Sequence, residues 1–250
     1  VNKPPTKQNE PEDLTPVADC RFCSHRSNLL LAGRCSPGNI CVKVDSGRQI
    51  DRFLRVNPQY ASIYLRDDFW ERRAISVRYA PLDALDRLVA DPDEAVRRAV
   101  AYRLPREQLH QLMDDEDREV RITVADRIPI EQLEAMASDV DYLVRAYVAQ
   151  RLPVGRLFRF IRDPDLQVRK IIARRVPEES LGLMFSDREP EVRRIVASRL
   201  TGDELRPLLQ DADWTVRLEA VKNAPLDAIA ELNEEDEEVL LIIQQRLAED

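Results

Sequence analysis

Cys20, Cys23, Cys35 and Cys41 fall within 22 residues of a 250-residue chain that has no other cysteine. Thiolates are soft ligands, and four of them in one short segment suit a [4Fe–4S] cluster or a zinc ion. The spacing is Cys-x2-Cys, eleven residues, then Cys-x5-Cys. Two intervening residues let the first pair of sulfurs turn toward one centre. The five-residue gap departs both from the second Cys-x2-Cys of a zinc ribbon and from the regular ferredoxin run, so spacing leaves iron–sulfur and zinc open. The N-terminal residues are polar and proline-rich, with no apolar export core, and a cysteine cluster in a cytosolic chain reads as a metal site before it reads as disulfides. His25, two residues past Cys23, admits a Cys-x2-Cys-x-His zinc set but is expected as an exposed loop histidine. Gly33, Pro37, Gly38 and Gly47 read as turn residues that let the segment wrap a centre. Phe22, Leu29, Leu30, Leu31, Ile40 and Val42 read as its apolar shield. A segment shorter than ~50 residues rarely folds without such a staple.

The rest of the chain supplies the elements against which this segment must sit. Val96, Val120, Val144, Val168, Val192 and Val216 recur every 24 residues, each followed by arginine. Proline follows nine residues after each valine, except at Thr201, and Leu or Ile follows thirteen after. In one unit, Asp91-Pro92-Asp93 reads as a helix start, with Asp at the cap and proline at the first helical position. Val96, Val100 and Leu104 then make one apolar stripe, Ala101 permits close approach of a neighbour, and Pro105 stops the helix. A short second element carrying Leu109 and Leu112 follows, short enough to be partly 3₁₀. No unit buries its stripe alone, so the copies must stack. Residues 49–71 read as a degenerate first copy. Residues 231–250 read as a last copy shifted by one, with Val239, Arg246 and Leu247 in the roles of valine, arginine and leucine. The organisation expected is residues 1–13 as a mobile tail, 14–48 as the four-cysteine domain and 49–250 as about eight helical repeats.

Two arginine rows run through the repeats. Arg97, Arg121, Arg145, Arg169, Arg193 and Arg217 each follow an acid by four residues, the favourable helical pairing, and are expected to pair with it. Arg103, Arg127, Arg151, Arg175 and Arg199 have no such acid; they suit the last turn of each helix, and as a row of bidentate donors they are the candidate partner-binding surface. Trp70 and Trp214 read as packing or capping residues. Hydrophobic residues make up 44% and charged residues 34%, which marks a soluble folded chain. Net charge is +2 over residues 1–50 and −10 over the remainder, which argues against general nucleic-acid binding. With no phosphate loop, no G-x-S-x-G, no H-E-x-x-H and two histidines, the chain is not expected to be an enzyme. No apolar run reaches the length of a membrane span.

The unit D-x-[DE]-x-x-V-R-x-x-V-A-x-R-L-P-x-x-x-L resembles the leucine-rich repeat variant family, and the resemblance takes in the cysteine segment, over about residues 14–250. It implies an all-α, right-handed superhelical solenoid of alternating α- and 3₁₀-helices, and a [4Fe–4S] cluster held by Cys20, Cys23, Cys35 and Cys41, with zinc as the alternative. The function expected is a cytoplasmic protein-interaction scaffold whose cluster is structural or redox-sensing. One alternative is an electron-transfer protein that docks its partner through the solenoid. A second is a nucleic-acid binder using the middle arginine row. The sequence sets no oligomeric state.

Overall fold

A computed structural model describes residues 15–248; the tail expected over residues 1–13 lies outside them. The chain divides into two compact units, Val1–Leu112 and Met113–Asp250. Among the described residues there is no strand, and Ser36 and Ile40 form an isolated antiparallel bridge.

The second unit displays the repeat. Its main helices are Arg118–Arg127, Tyr142–Arg151, Leu166–Arg175, Pro190–Ala197, Trp214–Val221 and Glu237–Ala248, each packed on the next. The connecting segments Val154–Phe160, Glu178–Met184 and Gly202–Gln210 are 3₁₀ helices, as their length favours. Helices begin at the second acid of each D-x-D or D-x-E unit: the side chains of Asp117, Asp141, Asp165 and Asp213 each accept the amide two residues on. In the first unit the cap of Glu94–Arg103 is likewise Asp93, so Asp91 and Pro92 lie outside the helix that they were expected to start. At the other end, Leu152 is already extended (ψ 145°) ahead of Pro153.

The core follows the period. Val144, Val148, Ala149, Leu152 and Leu157 are wholly buried, as are their equivalents in the next repeat, Val168, Ile172, Ala173, Val176 and Leu181. The invariably buried alanine lets adjacent helices approach closely. Leu247, placed in the last copy as a core residue, is instead 42% exposed, whereas Val239 is buried as expected.

In the second unit the first arginine row does not pair with the acid four residues back. Asp117, Asp141, Asp165 and Asp213 are occupied with capping, and the guanidiniums of Arg121, Arg145, Arg169, Arg193 and Arg217 reach forward to the next repeat. Arg145 gives Nε and one terminal nitrogen to the two oxygens of Asp163 (2.8 and 2.9 Å) and its other terminal nitrogen to the carbonyl of Asp139 (2.8 Å). Asp139 is itself the acid that takes Arg121, and Asp163 offers its carbonyl to Arg169. Arg169 continues to Asp187, Arg193 to Asp211 and Arg217 to Glu234. Each acid also holds the amide two residues on, as Asp163 does for Asp165. The acid lies 18 residues ahead everywhere except at Glu234, where it lies 17 ahead; this is the one-residue shift of the last copy. In the first unit Arg73 takes Asp91 in the same bidentate way, which is the task of Asp91.

These pairs are buried on both sides, with side-chain exposures of 11% and 5% for Arg145 and Asp163. Removing one partner leaves a desolvated charge alone. Asp163→Ala is therefore expected to lower the unfolding free energy by about 3 kcal/mol in urea titrations. The double change Arg145→Met with Asp163→Leu should recover only part of this, because the carbonyl of Asp139 then loses its donor. A pH effect follows from Glu234, whose carboxyl is held down at about 2 chiefly by its bond to Arg217. The folded pKa lies below the unfolded value, so this stabilisation is complete above the ordinary glutamate range and fades as pH falls toward 2. Glu234→Gln should cost about 2 kcal/mol at pH 7, less than the unscreened coupling because Arg217 is partly solvated, and the gap from the parent should close between pH 4.5 and 2 in thermal melts.

Candidate metal centre

Local turns bring the four cysteines together. Asp19 accepts the amide of Arg21 and starts the 3₁₀ turn Cys20–Phe22, so Cys20 and Cys23 sit at either end of one turn. A single π turn, Arg26–Leu30, follows. Gly33, at φ +67°, reverses the chain and leads into Cys35. Cys35 and Cys41 then flank the Ser36–Ile40 bridge, whose amides and carbonyls pair at 2.9 and 3.0 Å. Pro37 and Gly38 form the turn inside it, Gly38 at φ +76°, the arrangement that a type II turn requires. The Cys-x5-Cys gap is thus a closed hairpin tip that returns the second sulfur beside the first. Gly47 is not a turn residue; it opens the helix Gly47–Val56, and a Cβ there would collide with the Glu71 carboxylate.

None of the four cysteines is in a disulfide, and all line one pocket together with His25, Ile40, Val42 and Phe53. Cys41 is buried; Cys20, Cys23 and Cys35 are half-buried, so the centre lies close to solvent. Burial pushes the thiols of Cys35 and Cys41 up, and the neighbouring sulfurs push the same way. A cationic centre reverses that bias and holds the thiolates. The Cys41 sulfur already accepts the amide of Lys43 at 3.4 Å. Four thiolates lining one pocket suit either an iron–sulfur cluster or a zinc ion by their chemistry.

His25 is neither exposed nor turned to the sulfurs as a ligand. It is buried, with Nε2 2.5 Å from the Tyr64 hydroxyl and its ring edge-on to Tyr60 at 4.8 Å. Burial, assisted by Lys43, holds its pKa down. Of the expected shield, Leu29 and Val42 are buried, but Phe22 is 92% and Leu31 80% exposed. The segment is tied to the first helices by polar bonds as well: Arg34 donates to the Val56 carbonyl, Asn57 donates to the Arg34 carbonyl, and Arg72 joins Asp45 to Asp67.

The candidate partner-binding arginines lie elsewhere, at helix ends, with their donors engaged inside the fold. Arg151 donates to the carbonyls of Ala125 and Ile128, Arg175 to Ala149 and Leu152, and Arg199 to Ala173 and Val176. Arg103 does the same to Val77, Arg78 and Ala80, and Arg246 extends the row to Val221 and Ala224. Each caps the end of the preceding helix, whose last carbonyls have no partner of their own. Arg127 closes the helix Arg118–Arg127 at the equivalent position.

The stacked helices and cysteine-lined pocket define a helical-repeat protein with an N-terminal metal-cluster segment. Residues 16–62 match the family described as LRV protein FeS4 cluster, and residues 94–117 and 142–165 match the leucine rich repeat variant. A solved structure described as a leucine-rich repeat variant with a novel repetitive structural motif is 69% identical, covers 93% of this chain and 100% of its own, and superposes with a TM-score of 0.90. An uncharacterized 27.7 kDa protein in the nifB 3′ region of Rhodobacter capsulatus is 37% identical over 97 residues, 38% of this chain and 39% of that protein. The chain belongs to the leucine-rich repeat variant family and carries its iron–sulfur domain.

The hairpin tip offers a direct test of how the centre is held. Gly38→Ala forces a side chain into the left-handed region at a cost of about 1–2 kcal/mol. Its iron should be lost to a chelator several times faster than the parent's, followed by visible absorption, with the helical circular dichroism unchanged.

Proposed function

We propose that Cys20, Cys23, Cys35 and Cys41 hold one [4Fe–4S] cluster, one thiolate to each iron, and that the repeats serve as a protein-interaction scaffold whose N-terminal segment responds to the cluster. The observation that carries the reading is the shared pocket: four sulfurs face a floor that includes Phe53 of the first long helix. Loss or change of the cluster is therefore felt directly by that helix, through Phe53, His25 and the Arg34–Asn57 bonds. When bound, the cluster supplies four strong cross-links and a one-electron redox couple.

The half-burial of three ligands also favours electron transfer as a second reading, because a purely structural staple gains nothing from lying near solvent. Nucleic-acid binding through the arginine row would require those arginines to leave the helix-end carbonyls they cap, and the surrounding charge is acidic. The reading places the protein in the cytoplasm, where thiolates stay reduced, with no catalytic role of its own. No helix among the described residues is long and apolar enough to cross a membrane.

Protein purified without oxygen should contain about four irons and four acid-labile sulfides per chain, with broad visible absorption. One zinc and no sulfide would overturn the cluster. Cys41→Ser should lower iron content and the melting of the first unit together. A parent whose melting ignores cluster removal would overturn the coupling to the helices.

A further inference from the structure

Around the iron–sulfur segment the surface differs in kind from the remainder of the chain. Residues 15–60 carry seven Lys and Arg against three Asp and Glu, a balance of +4, while residues 61–250 sum to −11. Phe22 stands between the two cysteines of the first pair with 92% of its surface exposed. The Arg21 guanidinium lies 6.0 Å from its ring centre, and Arg26 donates to the Arg21 carbonyl at 3.5 Å, so one aromatic and two arginines form a contiguous patch. Leu31, 80% exposed, caps the far end of the π turn begun by Arg26. Asp19 is paired with Arg21. Beside the patch in sequence, Cys20 and Cys23 are half-buried, as is Cys35.

An exposed aromatic anchor beside two arginines, one of them paired with Asp19, meets the requirements of a docking spot: the ring fills a partner's apolar hollow and the surplus positive charge steers the encounter. Transient redox encounters bury less surface than stable complexes do. The charge selects the partner's sign. We propose that Phe22, Arg21 and Arg26 dock a small acidic electron-carrier protein, bringing its redox centre to the Cys20–Cys23 edge. This rests on the cluster reading above. With the cluster held by Cys20, Cys23, Cys35 and Cys41, the reduced carrier would give up one electron and the cluster would accept it, with no bond formed or broken and no proton moved.

The test uses iron-loaded protein and an acidic flavodoxin as the probe. Titration with oxidised flavodoxin should show binding that weakens with salt. Arg21→Gln with Arg26→Gln, and separately Phe22→Ser, should each weaken it about tenfold or more. The rate at which reduced flavodoxin bleaches the cluster should fall in parallel, with iron content and redox potential unchanged. Arg188→Gln, 65% exposed in the other unit, should bind as the parent does. Variants that keep their iron and bind flavodoxin unchanged, or an equal loss in Arg188→Gln, would overturn the docking site and leave the cluster standing. A protein that carries zinc in place of iron and sulfide would overturn the cluster reading itself.

Discussion

The architecture depends on a guanidinium that no single repeat can satisfy. Arg145 typifies the first row: it takes two carbonyls of its own repeat and the carboxylate of the next, and that carboxylate simultaneously fixes the turn leading into the following helix. The charges are buried, and such pairs are stable only when geometry and hydrogen bonding are complete. Completeness requires a neighbour at one distance and one rotation. The valines and leucines supply the driving force for stacking, which is indifferent to direction. The arginine–aspartate relay specifies how the stack is made.

The second row works in the opposite sense along the chain. Its arginines reach back and terminate the preceding helix through the carbonyls left unpaired there. Within each unit, neighbouring repeats are therefore clamped by one arginine reaching forward at the helix start and another reaching back at its end. The cysteine segment joins this scheme through a variant of it. Arg72 binds Asp67 of the first copies and Asp45 of the segment, and it reaches the Val44 carbonyl. The same residue type thus stitches an irregular loop to a regular array.

Much of this was legible from residue order alone. The period of 24, the capping aspartates, the helix-ending prolines and the buried alanine all follow from local rules that act within one repeat. The acid chosen by each arginine did not follow. An acid stands both four residues behind Arg145 and 18 ahead of it, and only the competing demand of the helix start on Asp141 decides between them. His25 was misplaced for a similar reason, since its partners Tyr60 and Tyr64 lie more than 30 residues away. Phe22 was assigned to the interior by its type. The short 3₁₀ turn that points Cys20 and Cys23 inward leaves both residues between them, Arg21 and Phe22, on the outside.

Reciprocal clamping also restricts how such a chain can change length. A residue gained or lost inside a repeat displaces a forward guanidinium from its carboxylate and a backward one from its carbonyls at the same stroke. A one-residue shift is accommodated in the last copy, where Glu234 supplies the longer side chain that spans it. Elsewhere the array can grow or shrink only by whole copies, as a screw thread lengthens only by turns, so length variation among relatives should come in multiples of the repeat and recombination should be tolerated at matching positions of any two copies.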